Sequence, residues 1–208
     1  MTDLYMTVQG RSQDTTEAIV ESDAKLGVAA DNDWIEGYTP TFVDYPFTNP
    51  DVTYDEHLEV VRAVEPELTV APDIEKGRAV DDVLRQADEL AEYADNVIVV
   101  PKDCHPSVVP SRFRVGMPVA DFGSGAPWTV WDYRGVGGIH ILGGSPNSQL
   151  AIGRHLPVAS VDTAVLGKRA RFGAWDGKSV DTPDDAWGYK ERLRWSLDNY
   201  AACWGCDG

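Results

Sequence analysis

Long apolar runs are missing from this chain of 208 residues. Nothing in it approaches the roughly 18 consecutive apolar residues of a membrane-spanning helix, and Met1-Thr2-Asp3 opens no charged-then-apolar secretion signal. The expectation is a soluble, cytoplasmic protein with no membrane partner. Cysteine is scarce: Cys104, Cys203 and Cys206 are too few for a disulfide framework and suit a reducing compartment. Cys203-Trp204-Gly205-Cys206 has metal-like spacing, but a structural zinc needs four ligands, and Cys104 and His105 complete the set only if the tail folds back across the chain. Two ordinary thiols at a frayed end is the simpler reading, and no cofactor is expected. Lysine is also rare, with 6 Lys beside 12 Arg, against 23 Asp and 11 Glu. The phosphate-binding patterns Gly-x-x-x-x-Gly-Lys-Ser/Thr and Gly-x-Gly-x-x-Gly do not occur after any candidate strand, which argues against triphosphate and dinucleotide binding.

What is present is enough for one domain with a real core: 43% hydrophobic residues and seven Trp. The net charge of −16 would ordinarily disfavour nucleic acid. An Asp-rich, Lys-poor surface is, however, also what a high-salt cytoplasm selects, where screening shortens to about 3 Å. The composition therefore points to a halophilic source, a haloarchaeal host cell, and leaves a nucleic-acid substrate open.

Short apolar runs alternate with segments of helical period. Strands are expected at Leu4 to Val8, Thr41 to Val43, Leu68 to Ala71, Val97 to Val100, Arg114 to Val119, Gly138 to Leu142 and Val158 to Val161. Helices are expected at Thr15 to Leu26, Thr53 to Val64, Ala79 to Ala94, Ser145 to Leu156 and Thr163 to Phe172, with a terminal helix over 183–202. The stretch Asp121 to Pro127, rich in Gly and Ala, reads as a long loop. The βαβα order means a parallel sheet, a single α/β domain over 1–208 with no linker or repeat.

In parallel α/β folds the active site forms at the carboxyl ends of the strands. The residues there are Asp44, Asp73, Lys102, the pair Gly143-Gly144 and Asp162. Any one Asp can be a helix cap, and Ser145 before Pro146 has the look of an N-cap. Three at three strand ends suggest a shared pocket, suited to divalent-metal binding, glycoside cleavage or base exchange at a sugar C1′. The glycine pair lets a planar heterocycle lie against backbone.

The series Phe42-Val43-Asp44, Ala71-Pro72-Asp73, Val97-Ile98-Val99-Val100-Pro101-Lys102, Gly138-Ile139-His140-Ile141-Leu142-Gly143-Gly144-Ser145-Pro146 and Ser160-Val161-Asp162 resembles the small, virus-encoded relatives of tRNA-guanine transglycosylase, over roughly residues 41–176. Those relatives are regarded as DNA transglycosylases that insert 7-deazaguanine bases, in the setting of evading restriction. The resemblance implies an irregular or truncated (β/α)8 TIM-like barrel. It also implies a two-step exchange in which Asp162 attacks C1′ and Asp44 moves protons. Asp73 would read the guanine edge, and Gly143, Gly144 and Ser145 would meet the base. Lys102 falls where a strand end contacts the base or its 7-substituent. The partners implied are DNA and a free 7-deazaguanine base. Two departures stand out. The tRNA enzymes carry a zinc site of three Cys and one His after the nucleophile strand, which this chain lacks at that spacing, and they are longer. Arg169, Arg171, Arg192 and Arg194 either contact phosphates or form salt bridges. Rival readings are a tRNA-directed transglycosylase, a metal-dependent α/β hydrolase using Asp44, Asp73 and Asp162, and an inactive barrel that binds nucleic acid or a partner protein.

Overall fold

The computed structural model describes the chain apart from residues 1, 9, 47–48, 50, 120–125, 182–185 and 206–208. Eight short runs rich in β-branched and aliphatic residues form parallel strands: β1 (Asp3–Val8), β2 (Lys25–Ala29), β3 (Phe42–Asp44), β4 (Leu68–Val70), β5 (Asn96–Val99), β6 (Arg114–Pro118), β7 (Ile139–Leu142) and β8 (Val158–Asp162). They pair in sequence order and β8 returns to β1, with Leu4 opposite Val161, so the sheet closes into a barrel. Closure leaves no open edge. The register slips once, between Ile139 and His140. The expected fold class, a TIM-like α/β barrel, is therefore the observed one.

Both faces of each strand are covered, which is why the runs are almost continuously apolar. Tyr5, Phe42, Leu68, Val70, Ile98 and Val100 fill the inside. Space for them depends on two glycines without a Cβ: one on Gly27 would meet the Phe42 ring at 2.8 Å, and one on Gly116 would meet Val100 at 2.7 Å. Leu4, Met6, Val97, Val99, Ile139 and Ile141 face outward to the helical layer.

Helices α1 (Gln13–Val20), α2 (Tyr54–Val64), α3 (Val80–Leu90), α4 (Pro146–Gly153) and α5 (Val165–Arg169) follow β1, β3, β4, β7 and β8. Thr53 and Glu56 form a reciprocal capping box at the start of α2. The apolar stripe of α3 buries Val83, Ala87 and Leu90, and Asp81, Asp82 and Asp88 face solvent. A small antiparallel pair, β9 (Ala174–Trp175) and β10 (Val180–Asp181), precedes α6 (Tyr189–Gly205). The last helix lies against α1 and β9 and buries Leu193, Ser196, Leu197 and Tyr200, with the Tyr200 ring edge-on to Trp175 at 5.5 Å.

Three expectations are corrected. The helix expected over Thr15 to Leu26 stops at Val20, and Lys25–Ala29 is the second barrel strand. That segment carries Gly27 and flanking alanines, so its composition does not favour strand; pairing with both β1 and β3 makes it one. The barrel is also not truncated in its strands. Among the described residues no α-helix separates β2 from β3, and the β5–β6 and β6–β7 connections carry 3-10 turns at Pro106–Val108 and Val130–Tyr133 in place of a helix. Finally, the terminal helix begins at Tyr189, and Trp187 and Trp195 pack edge to face on one another while Tyr200 joins the core. Positions 183–185 of that expectation, and 121–125 of the expected loop, lie outside the described residues.

Candidate active site

The carboxyl ends of β3, β4, β5, β7 and β8 open on one cavity of about 320 Å³. Asp44, Asp73, Lys102, Gly143, Gly144 and Asp162 line it together, with Tyr45, Val70, Val100, Pro118, Val119 and Leu142 as apolar walls. Asp44 and Asp162 are the last residues of their strands. Ser145 stands apart from this lining. Its hydroxyl accepts from the Ser148 N–H at 3.1 Å and caps α4, with Pro146 in the first turn.

The three aspartates are held differently. Asp73, 9% exposed, pairs with Lys102 at 2.5 Å. Burial pushes its carboxyl up, and the lysine pulls it back only in part. Asp44 is half-buried and lines the cavity. Enclosure by protein raises its carboxyl well above the ordinary carboxylate range, and the negative charges of Asp162 and Asp73 add to the effect. A carboxyl so placed holds its proton to a higher pH than an exposed aspartate does.

Asp162 receives hydrogen bonds at Oδ1 from the Gly143 N–H at 3.2 Å and from His140 Nε2 at 3.3 Å. The direction of the second follows from the chain of groups behind it. His140 is fully buried and its pKa is lowered by that burial, although Asp162 opposes the shift, so the ring is neutral. Nε2 faces a carboxylate and must carry the hydrogen. Nδ1 then accepts from the Ser160 hydroxyl at 2.7 Å, and the Ser160 oxygen accepts from Arg114 Nη1 at 2.7 Å. Donation therefore runs one way up the barrel axis, from Arg114 through Ser160 and His140 to Asp162. Arg114 is itself anchored 3.8 Å from Asp3 at the opposite mouth, where Lys25 joins Asp3 and Glu67.

The bend at Gly143-Gly144 has φ values of 63° and 85°, a left-handed region that favours glycine. It is clamped from below by Gln149, a fully buried side chain on α4 that donates to the Gly143 carbonyl at 2.6 Å and to the Asp162 carbonyl at 2.8 Å. The Tyr200 hydroxyl on α6 donates to the Gln149 side-chain oxygen. One amide thus ties together the ends of β7 and β8 and two helices.

Sequence reasoning missed Gln149, Tyr45 and Lys168, and it gave His140 and Ser160 no role. Only Gln149 left a trace, as the one amide on the buried side of α4. Cys203 is half-buried, and Cys206 of the considered zinc pair lies outside the described residues. Among the described residues no three His, Cys, Asp or Glu side chains are grouped as a metal site requires, so the hydrolase reading has no ligand cluster there to rest on. Nor is any described helix long and apolar enough to cross a membrane.

Fold and site define a single (β/α)8-type barrel with a carboxylate-lined cavity at its carboxyl rim. By sequence the chain belongs to the family described as a family of unknown function (DUF6610), which it matches over residues 21–205. No curated protein matches it. Among solved structures it is similar to the YdjI aldolase from Escherichia coli K12, with a TM-score of 0.57 at 10% identity, covering 100% of this chain and 92% of that one. At that identity the likeness is one of fold.

Proposed function

We propose that this protein is an enzyme, a transglycosylase that exchanges guanine in DNA for a 7-deazaguanine base through a covalent glycosyl-aspartate. The observation that carries the reading is the convergence of Asp44, Asp73 and Asp162 on one apolar-walled cavity beside a side-chain-free bend. Such a slot accepts a flat, polar-edged heterocycle. Asp73, fixed by Lys102, accepts from the N1–H and amino group of guanine, and the backbone of Gly143 and Gly144 lies along the base.

The chemistry follows from the contrast between the two strand-end carboxyls. Asp162, oriented by two donors, attacks C1′ as the bond from C1′ to N9 breaks, and the Asp44 carboxyl gives its proton to the departing guanine. A new ester joins C1′ to an Asp162 oxygen. The incoming 7-deazaguanine loses its N9 proton to Asp44, bonds to C1′ and releases Asp162, so the proton count returns to its start and the anomeric configuration is retained. The target nucleotide must leave the stack, because C1′ is out of reach of a cavity while the base is paired. A DNA substrate, a viral setting and a haloarchaeal host rest on the resemblance and the composition.

The direct test supplies labelled guanine-containing DNA, a 7-deazaguanine base and no added metal, and follows guanine release and covalent trapping. Release with trapping at Asp162 supports the reading. Release that needs Mg²⁺ or Mn²⁺ and stops with a chelator returns the cavity to hydrolase chemistry. A guanine-containing tRNA as the preferred substrate would move the activity to RNA.

A further inference from the structure

Beside the first cavity, at the carboxyl ends of β1 and β8, lies a second of about 120 Å³ lined by Met6, Thr7, Ser12, Thr15, Ala164, Gly167, Lys168, Arg171 and Tyr189. Ala164 and Lys168 belong to both, so the two meet two residues beyond Asp162. Its chemistry is the reverse of the rest of the molecule. In a chain with 34 acidic residues and 18 basic ones, this lining holds two cations and no carboxylate. Neither Lys168 nor Arg171 forms an ion pair among the described residues. The nearby acids Glu17 and Glu21 are taken up by Lys190, at 2.6 and 2.7 Å.

The hydroxyl-bearing residues Thr7, Ser12, Thr15 and Tyr189 complete the lining. Ser12 Oγ shares a hydrogen bond of 2.7 Å with Thr15 Oγ1, which reaches the Tyr189 hydroxyl at 3.2 Å. The buried Thr7 hydroxyl has no partner among the described residues. Ser12 stands at the N-cap of α1 but makes no side-chain cap bond there, so the first-turn N–H groups of that helix keep their donors. Two cations, rotatable hydroxyls and free amides are what an oxyanion with several acceptor oxygens requires.

We propose that this second cavity is a phosphate subsite, holding the phosphate attached to the nucleotide whose base occupies the first cavity. The assignment to a nucleotide rests on the guanine reading; the affinity for phosphate does not. With the base against Gly143 and Gly144 and C1′ at Asp162, the adjoining phosphate falls on the side of Ala164, where Lys168 spans both cavities. The subsite makes the enzyme select a polynucleotide over a free nucleoside, because the acidic exterior offers little else to attract phosphate.

The test is calorimetric, at fixed KCl, with inorganic phosphate, deoxyguanosine, its 5′- and 3′-monophosphates and deoxyribose 5-phosphate. Phosphate binding at one site, weakened at least tenfold by Arg171→Gln and measurably by Thr15→Val, supports the subsite; neither residue touches the base cavity. A monophosphate at least tenfold tighter than deoxyguanosine, with the advantage lost in Arg171→Gln while nucleoside affinity is unchanged, supports its placement. Equal affinity for nucleoside and both monophosphates, or phosphate binding indifferent to Arg171→Gln, overturns the subsite and leaves the guanine reading standing. Deoxyribose 5-phosphate binding as tightly as the nucleotide overturns the guanine reading and leaves the subsite.

Discussion

At the scale of single residues, the site works by giving chemically identical side chains unlike surroundings. Asp44 is enclosed and sits near other carboxylates; Asp162 faces two donors. In the proposed exchange Asp44 is the acid for the leaving base, so the rate of guanine release is expected to fall as pH rises through its elevated pKa. In Asp44→Asn that alkaline limb disappears and the rate drops by about 10²–10⁴-fold, readable from the pH profile of labelled guanine release. Asp162→Ala yields no covalent adduct on denaturing gels. Ser160→Ala removes the hydroxyl that holds His140 in its Nε2–H form. We expect it to lower the exchange rate by about tenfold with base affinity little changed, since the side chain lies below the cavity. A drop confined to affinity would refute the positioning role.

At the scale of elements, the decisive unit is the β7–α4 connection. Its bend places the floor of the cavity, and an added methyl has no room: a Cβ on Gly144 would meet Val119 at 2.8 Å with φ at 85°. Gly144→Ala should therefore cost about 1–2 kcal/mol in the left-handed conformation alone, lower the melting temperature and abolish base binding by shifting the floor. Gln149→Leu leaves two carbonyls and the Tyr200 hydroxyl without their partner. A loss of about 3 kcal/mol in urea unfolding is expected. A near-neutral result would mean that water takes over the three groups.

Across the whole molecule, charge and two buried histidines set the response to conditions. With a net charge of −16, self-repulsion opposes folding at low ionic strength, so the melting temperature should rise between 0.1 and 3 M KCl. His57 is fully buried, and burial lowers its pKa to about 4. The unfolded chain binds that proton from about pH 6.5 downward and the folded chain does not, so stability is present above pH 6.5 and is lost as pH falls toward 4. His140 acts in the same direction. The contribution of His57 is of order 3 kcal/mol, measurable as a flatter stability–pH curve in His57→Leu. An unchanged curve would show that His57 does not carry it.

Seven of the eight barrel strands, and the strand ends bearing Asp44, Asp73, Lys102, Gly143-Gly144 and Asp162, were legible in the sequence, because a parallel strand buried on both faces must be a short apolar run and the loop after it must begin with what the chain needs at the rim. Lys25–Ala29 was not, since its glycine and alanines become strand only between two neighbours. The same holds for the roles of His140, Ser160, Gln149 and Lys168. Each is defined by a partner 6 to 51 residues away or by a second cavity wall. Local pattern records which residues must be buried or must turn. Hydrogen-bond direction and shared enclosure exist only once distant segments meet, and here the closing of the barrel decides them.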